Sequence, residues 1–196
     1  AKGVENCSYE LIARMDSDDI AFPDRCEKQL KIFTEKPQLA IVGGTIAEFS
    51  DSIEKIISYR VLPEHHDDII NFTKVRNPFN HPSVMFRRDV IINYGNYNSV
   101  YKACEDYELW FRVLKGGEKG YNIQEPVLYF RDGGQLIKRR KDKKNYHFYI
   151  MLKKKMYNDN FINWMDLQIS VGIQRFFYYS PEFIQKFIYR YLLRKR

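Results

Sequence analysis

The chain has 196 residues, 44% of them hydrophobic, and carries 32 basic against 25 acidic side chains, a net charge of +7. That is enough chain for one core of ordinary size with an appendage, and too little for two full domains. No run of eighteen apolar residues occurs, which excludes a membrane-spanning helix and leaves attachment to a membrane surface as the remaining mode of contact.

The chain opens at Ala1, and its first nine residues have neither the basic nor the apolar part of a secretory signal, so the sequence is expected to be cut from something longer. Residues 9–15 form a short, largely apolar run that ends in Asp16-Ser17-Asp18-Asp19, which predicts a strand feeding an acidic loop. A helix is predicted over 25–35, with Pro23-Asp24 ahead of it and Pro37 behind. Residues 39–49 and 53–61 predict strands, and 63–74 a helix with acids in its first turn. A short strand over 82–86 and a helix over 88–94, stopped by Gly95, come next. Residues 105–114 predict the clearest helix, with Leu109, Trp110, Val113 and Leu114 apolar and Gly116-Gly117 ending it, and 121–131 returns as a strand. Alternating strands and helices indicate an α/β domain with a mainly parallel sheet.

Beyond residue 137 the character changes. Residues 138–196 hold 15 basic and 4 acidic side chains, a net of +11, which leaves 17 basic and 21 acidic ahead of them, a net of −4. The division is therefore an acidic body, 1–137, and a basic, aromatic-rich tail, 138–196, expected to be three helices. The last helix has Ser180 as N-cap, Pro181 at its first position and a stripe of Phe183, Ile184, Phe187, Ile188, Tyr191 and Leu192 beside Lys186, Arg190, Arg194 and Arg196. Such a stripe has the form of a helix lying on an anionic membrane surface; packing of the aromatics back onto the domain is the competing reading.

Three cysteines, Cys7, Cys26 and Cys104, are an odd number without a CxxC, so neither a disulfide framework nor a zinc ribbon is indicated and a reducing cytosol fits best. Asn6-Cys7-Ser8 and Asn71-Phe72-Thr73 match the glycosylation sequon, a short pattern that arises by chance. His65-His66-Asp67-Asp68 has ligand chemistry for zinc, but adjacent residues on a helix point to different sides and no third ligand follows at a regular spacing.

Asp16 and Asp18 place two hard oxygen ligands in one loop, where a divalent cation such as Mn²⁺ or Mg²⁺ can be held and bridged to the phosphates of a nucleotide. The alternative is a solvated acidic loop. Glu105-Asp106 opens a helix, where each carboxylate gains about 0.3–1 kcal/mol from the dipole; either carboxylate there can also take a proton from a hydroxyl.

The two clusters, in this order and with their neighbours, resemble glycosyltransferase family 2. The segment from Ile12 through Asp16-Ser17-Asp18-Asp19-Ile20 is similar to the family's DxD segment, and Pro23-Asp24-Arg25 with Lys28-Gln29-Leu30 continues it. Asn80-His81-Pro82-Ser83-Val84-Met85-Phe86 resembles the acceptor-side segment, and Tyr94-Gly95-Asn96-Tyr97 followed by Glu105-Asp106-Tyr107-Glu108-Leu109-Trp110 resembles the ED motif. Residues 122–131 match the strand that follows, so the likeness covers about residues 9–131.

The resemblance implies a glycosyltransferase-A fold and transfer of a sugar, with inversion, from a nucleotide-diphosphate sugar to a saccharide or lipid-linked hydroxyl. By it Asp16 and Asp18 hold metal and diphosphate, Asp106 is the base with Glu105 in support, and His81, Arg112 and Trp110 line an acceptor pocket. The βα units that the family carries ahead of the DxD strand, which hold the nucleoside, do not precede residue 9. The sheet beside 9–15 is therefore expected to be uncovered and to favour self-association. Two other classes share some of these features. A nucleic-acid-binding module would use the basic aromatic tail, but no signature accompanies it and no nucleic acid is expected as a partner. A metal-dependent phosphoryl or nucleotidyl transferase would share Asp16 and Asp18 but needs a Gly-rich phosphate loop that is not seen.

Overall fold

A computed structural model describes residues 1–132 and 142–191. The division between body and tail at 137–138, and Leu192, Arg194 and Arg196 of the apolar and basic stripe, lie outside these, as do the side chains of Lys186, Arg190 and Tyr191.

In chain order the body comprises α1 (Lys2–Asn6), β1 (Leu11–Ala13), β2 (Ile20–Ala21), α2 (Arg25–Glu35), β3 (Leu39–Phe49), β4 (Ile56–Arg60), α3 (His66–Thr73), β5 (Met85–Arg87), α4 (Arg88–Asn93), α5 (Glu105–Lys115) and β6 (Lys119–Arg131). A 3₁₀ turn, His81–Ser83, leads into β5. The tail adds α6 (Lys143–Asn158), α7 (Trp164–Tyr179) and α8 (Glu182–Tyr191).

The strands form one curled sheet in the order β1-β5-β3-β6-β2, with β4 against β3. Its long central pair, β3 and β6, is parallel, as the intervening α3, α4 and α5 crossover requires. The other four pairings are antiparallel, so the expectation of a mainly parallel sheet holds only at the centre. The reason is connection length. Six residues separate β3 from β4, too few for a crossover, so β4 must fold straight back. Because β5 runs against both β1 and β3, the strands β1, β3 and β6 all point one way.

Successive side chains of a strand face opposite sides, and here each side meets its own core. Ile41 and Phe86 pack with Ile69, Leu109, Trp110 and Val113 under α3, α4 and α5. Val42 and Met85 pack with Phe33 of α2, Ile46 and Leu128 on the reverse. The sheet is thus buried between helical layers, and β3 is buried along its whole length. A third cluster joins Tyr107 and Phe111 of α5 to Leu152 and Met156 of α6 and to Ile162. The basic tail therefore shares a core with the helix that carries Asp106.

Two features at the margins depart from the pattern in the sequence. Residues 2–6, not predicted as structure, form α1, whose Val4 enters the first cluster and whose Val4 and Glu5 carbonyls accept from Arg88. Ser180, predicted as the N-cap of the last helix, instead donates from its hydroxyl to the Phe176 carbonyl at 2.6 Å and closes α7.

Candidate active site

The loop between β1 and β2 crosses the sheet from one edge to the other over residues 14–19, since β1 and β2 are the end strands of the path. It passes the carboxyl ends of β1, β3 and β6, the place where open α/β sheets bind ligands. At its near end Arg14 donates from both Nη atoms to both oxygens of Asp16, at 2.9 and 2.6 Å. At its far end β6 anchors the loop. The Arg131 amide donates to Asp19 Oδ1 at 3.0 Å, and the Arg131 guanidinium donates to the Asp18 carbonyl at 3.2 Å.

Three acids within four residues are thereby given three environments. Asp16 is half-buried, Asp18 is exposed and Asp19 is buried. Burial pushes the Asp19 carboxyl up to about 6, against the Arg131 amide that lowers it; its Oδ2 has no partner among the described residues. Asp19 is thus an internal strut of the loop, and Asp16 and Asp18 are the two that face outward. Two outward carboxylates one residue apart suit a hard divalent cation whose remaining positions are filled by phosphate oxygens and water. The described residues hold no cluster of three or more His, Cys, Asp or Glu, so protein ligands at this loop stop at two.

The second acid pair comes to the same place by a different route. Cys104 precedes α5, so Glu105 and Asp106 occupy the first turn, where backbone N–H groups lack helical partners. The Tyr107 amide donates to Asp106 Oδ1 at 2.8 Å. Asp106 Oδ2 accepts from the Asn77 side-chain amide at 2.6 Å, and His81 Nδ1 lies 3.9 Å from the same oxygen. His81 Nε2 in turn is 2.9 Å from the Tyr97 hydroxyl. Burial lowers the His81 pKa, with Asp106 opposing, and burial together with Asp106 raises that of Tyr97, so the pair is held as a neutral imidazole against a protonated phenol. Burial also raises the Glu105 carboxyl, with Asp106 adding to it.

His81 feels Asp106, Arg14 and Asp16 together, and Glu105 feels Asp106 and Arg14, so the two acid clusters lie within electrostatic range of the same side chains. A cavity of about 490 Å³ opens there, lined by Ile12, Arg14, Met15, His81, Tyr97 and Glu105. It runs alongside β1, whose outer edge has no strand partner among the described residues and whose neighbours Tyr9 and Met15 are exposed.

Of the residues expected to line an acceptor pocket, His81 borders this cavity. Trp110 does not, being fully buried; it is the floor on which Phe79, His81 and Tyr97 rest, with ring centroids 5.7, 6.1 and 6.4 Å away. Arg112 does not either. Its guanidinium pairs with buried Glu108 and donates to the Tyr94 and Asn96 carbonyls, fixing the turn in which Gly95 and Asn96 both have positive φ. That turn delivers Tyr97. Arg14, Asn77 and Tyr97 are site residues to which the sequence reading gave no role. His65 and His66 sit at the start of α3, where His66 Nδ1 accepts from the Gly120 amide at 3.4 Å.

Known proteins resemble the chain in sequence and in fold. The family model described as Glycosyl transferase family 2 matches residues 1–95. A curated relative from Escherichia coli, named UDP-Gal:alpha-D-GlcNAc-diphosphoundecaprenol beta-1,3-galactosyltransferase, is 30% identical over 98% of this chain and 70% of its own length. The chain belongs to glycosyltransferase family 2. A second relative, an uncharacterized glycosyltransferase of Haemophilus influenzae, is 38% identical over 71% of this chain and 51% of its own length, so the chain spans about half of that protein. In fold, the chain is similar to the mannosyltransferase PcManGT of Pyrobaculum calidifontis, solved with GDP-Man and Mn²⁺, with a TM-score of 0.55 at 11% identity over 91% of this chain and 48% of that one.

Proposed function

We propose that the protein carrying this chain transfers a sugar from a nucleotide-diphosphate sugar to a hydroxyl of a saccharide or lipid-linked acceptor, with inversion, and that Asp106 is the base. The observation that carries the reading is that His81, 3.9 Å from Asp106, also lies in the field of Asp16 and Arg14, and that Arg14 and Met15 of the acidic loop line one cavity with His81 and Glu105. In a single in-line displacement the acceptor hydroxyl loses its proton as its oxygen bonds to the anomeric carbon and the bond to phosphate breaks. Each Asp106 oxygen accepts one hydrogen bond from the protein, and a carboxylate oxygen has two lone pairs, so Oδ2 keeps one for that proton. Asn77 orients the carboxylate, while His81, fixed by Tyr97 and Trp110, walls the cleft beside it.

Asp16 and Asp18 are the ligands for Mn²⁺ or Mg²⁺, which when bound offsets the charge on the departing diphosphate. The relative named for a diphosphoundecaprenol substrate and the fold neighbour solved with a nucleotide sugar and Mn²⁺ support the donor, metal and lipid-linked acceptor. A membrane-surface role for the tail is supported by exposed Met165, Ile169, Ile173 and Phe176 on α7 and Phe183 and Phe187 on α8, next to the chain's excess of basic residues. Self-association through the open edge of β1 is supported by its exposed flanks.

The deciding measurement is thermal unfolding of the protein with nucleoside diphosphates, with and without Mn²⁺, followed by proton NMR of the product's anomeric centre. Stabilisation that needs metal, and a product of inverted configuration, are expected. A donor that stabilises equally in a chelator rules out the metal role of Asp16 and Asp18, and a retained configuration rules out Asp106 as base.

A further inference from the structure

The helical tail touches the cleft from behind through a buried lysine. Lys153 of α6 is fully buried and forms no ion pair among the described residues. Its ammonium donates instead to the Lys74 carbonyl at 2.7 Å, the Thr73 carbonyl at 3.4 Å and the Tyr107 hydroxyl, which itself donates to the Thr73 carbonyl. One turn earlier on α6, the Tyr149 hydroxyl donates to the Val75 carbonyl at 2.7 Å. The tail thus grips three consecutive carbonyls where α3 ends, groups that a helix leaves without internal partners.

Those contacts lead to Asp106 along two short paths. Two residues past Val75 is Asn77, whose amide donates to Asp106 Oδ2, and Tyr107 is the residue after Asp106, its N–H donating to Oδ1. Both oxygens of Asp106 are therefore held by groups within two residues of something α6 fixes. Attachment of the tail alone does not call for this. Leu152, Met156, Phe111 and Ile162 already form the apolar joint, and a methionine in place of Lys153 would fill the space without the cost of desolvating an ammonium. What hydrogen bonds add is a fixed position for the backbone at 73–75.

We propose that Lys153 and Tyr149 are positioning residues for Asp106, acting through Asn77 and Tyr107, so that the tail completes the catalytic wall of the cleft. The inference rests on the function proposed above. Its test is Lys153→Met, Tyr149→Phe and Asn77→Ala in the protein, singly and with Asn77→Ala paired to each of the others. Misplacement of a base by a fraction of an ångström costs turnover more than binding, so kcat should fall about 10–100-fold in Lys153→Met and about 3–10-fold in Tyr149→Phe, with the donor Kd within about twofold of wild type. The double variants should be no slower than the slower of their singles, because both act on one contact.

Wild-type kcat in folded Tyr149→Phe, or losses that multiply with that of Asn77→Ala, overturn the proposal; Tyr149→Phe removes one hydroxyl and decides the matter if Lys153→Met does not fold. A readout independent of turnover is the NMR resonance of the Asn77 side-chain amide, expected to move in Tyr149→Phe. An unmoved resonance sinks the positioning role. A wild-type protein that transfers no sugar sinks the function above and leaves this readout standing.

Discussion

Asp106 is held on both oxygens by the protein itself, by an amide of its own helix and by Asn77, and its side chain is 18% exposed. The Asp16 side chain is 40% exposed, and both its oxygens are taken up by the guanidinium of Arg14, a flexible cation from the same loop. On the function proposed above, the difference teaches what each carboxylate awaits. A base must have its geometry before the acceptor arrives, since correct orientation is most of its value. On the proposed function, a ligand for a cation needs only a counter-charge until the cation comes, and Arg14 would hold that place for a divalent ion.

The contrast breaks first at Asp106. Asp106→Asn keeps the shape and most hydrogen bonding but removes the basic oxygen, so kcat should fall about 10²–10⁴-fold while calorimetry finds donor and metal affinity near normal. Arg112→Met attacks the support of the same wall. It leaves Glu108 buried without its partner and frees the Tyr94–Asn96 turn, so chemical denaturation should show a loss of about 3 kcal/mol. Asp18→Asn acts on the other wall, weakening donor binding about tenfold or more in Mn²⁺ and little in a chelator. A kcat effect without a binding effect would erase the distinction between the two carboxylates.

Two smaller effects sharpen it. Arg14→Met removes the placeholder, so Mn²⁺ should bind several-fold more tightly in the absence of donor, by titration calorimetry. Lys153 gives the Asp106 side a pH signature. Burial pushes its ammonium down from 10.5 to about 7, with Asp166 and Cys104 opposing. Between these values the unfolded chain holds a proton that the folded chain has released, so stability contributed by this residue rises from pH 7 toward pH 10. In Lys153→Met that slope should flatten in urea titrations.

Much of this was legible before the fold was seen. The 25–35 helix and the 39–49 strand appear with the bounds read from their Pro and Gly punctuation and apolar runs, and α5 differs by one residue. Strand direction was not legible, because it depends on which segments neighbour one another and not on any segment's own pattern. Among the residues of the proposed chemistry, Asp16, Asp18 and Asp106 announce themselves as acids at element ends. Asn77 does not, for it lies 29 residues from the carboxylate it holds, in a loop with no periodicity. Trp110 misled for a physical reason. It lies beside the ED pair in sequence, yet with Leu109, Val113 and Leu114 it forms the inward face of α5, all of them buried.

The loop from β1 to β2 has a consequence for what variation it can accept. It bridges the two margins of a five-strand path, four spacings of about 4.8 Å or roughly 19 Å across, and it climbs from the level of Val42 to that of Ala47, roughly 16 Å along the strands, so on a flat sheet its ends would stand about 25 Å apart, the whole stretched reach of its seven Cα steps. Only the curl of the sheet leaves slack, and the turn in which the Asp19 amide donates to the Asp16 carbonyl at 3.3 Å takes it up. Residue types in this strap can therefore change while its length cannot shrink by much, since removing two residues would draw the opposite margins of the sheet toward each other like a shortened bowstring. Deletions at 14–19 should be read as mechanical lesions of the whole sheet, and only substitutions there report on ligand chemistry.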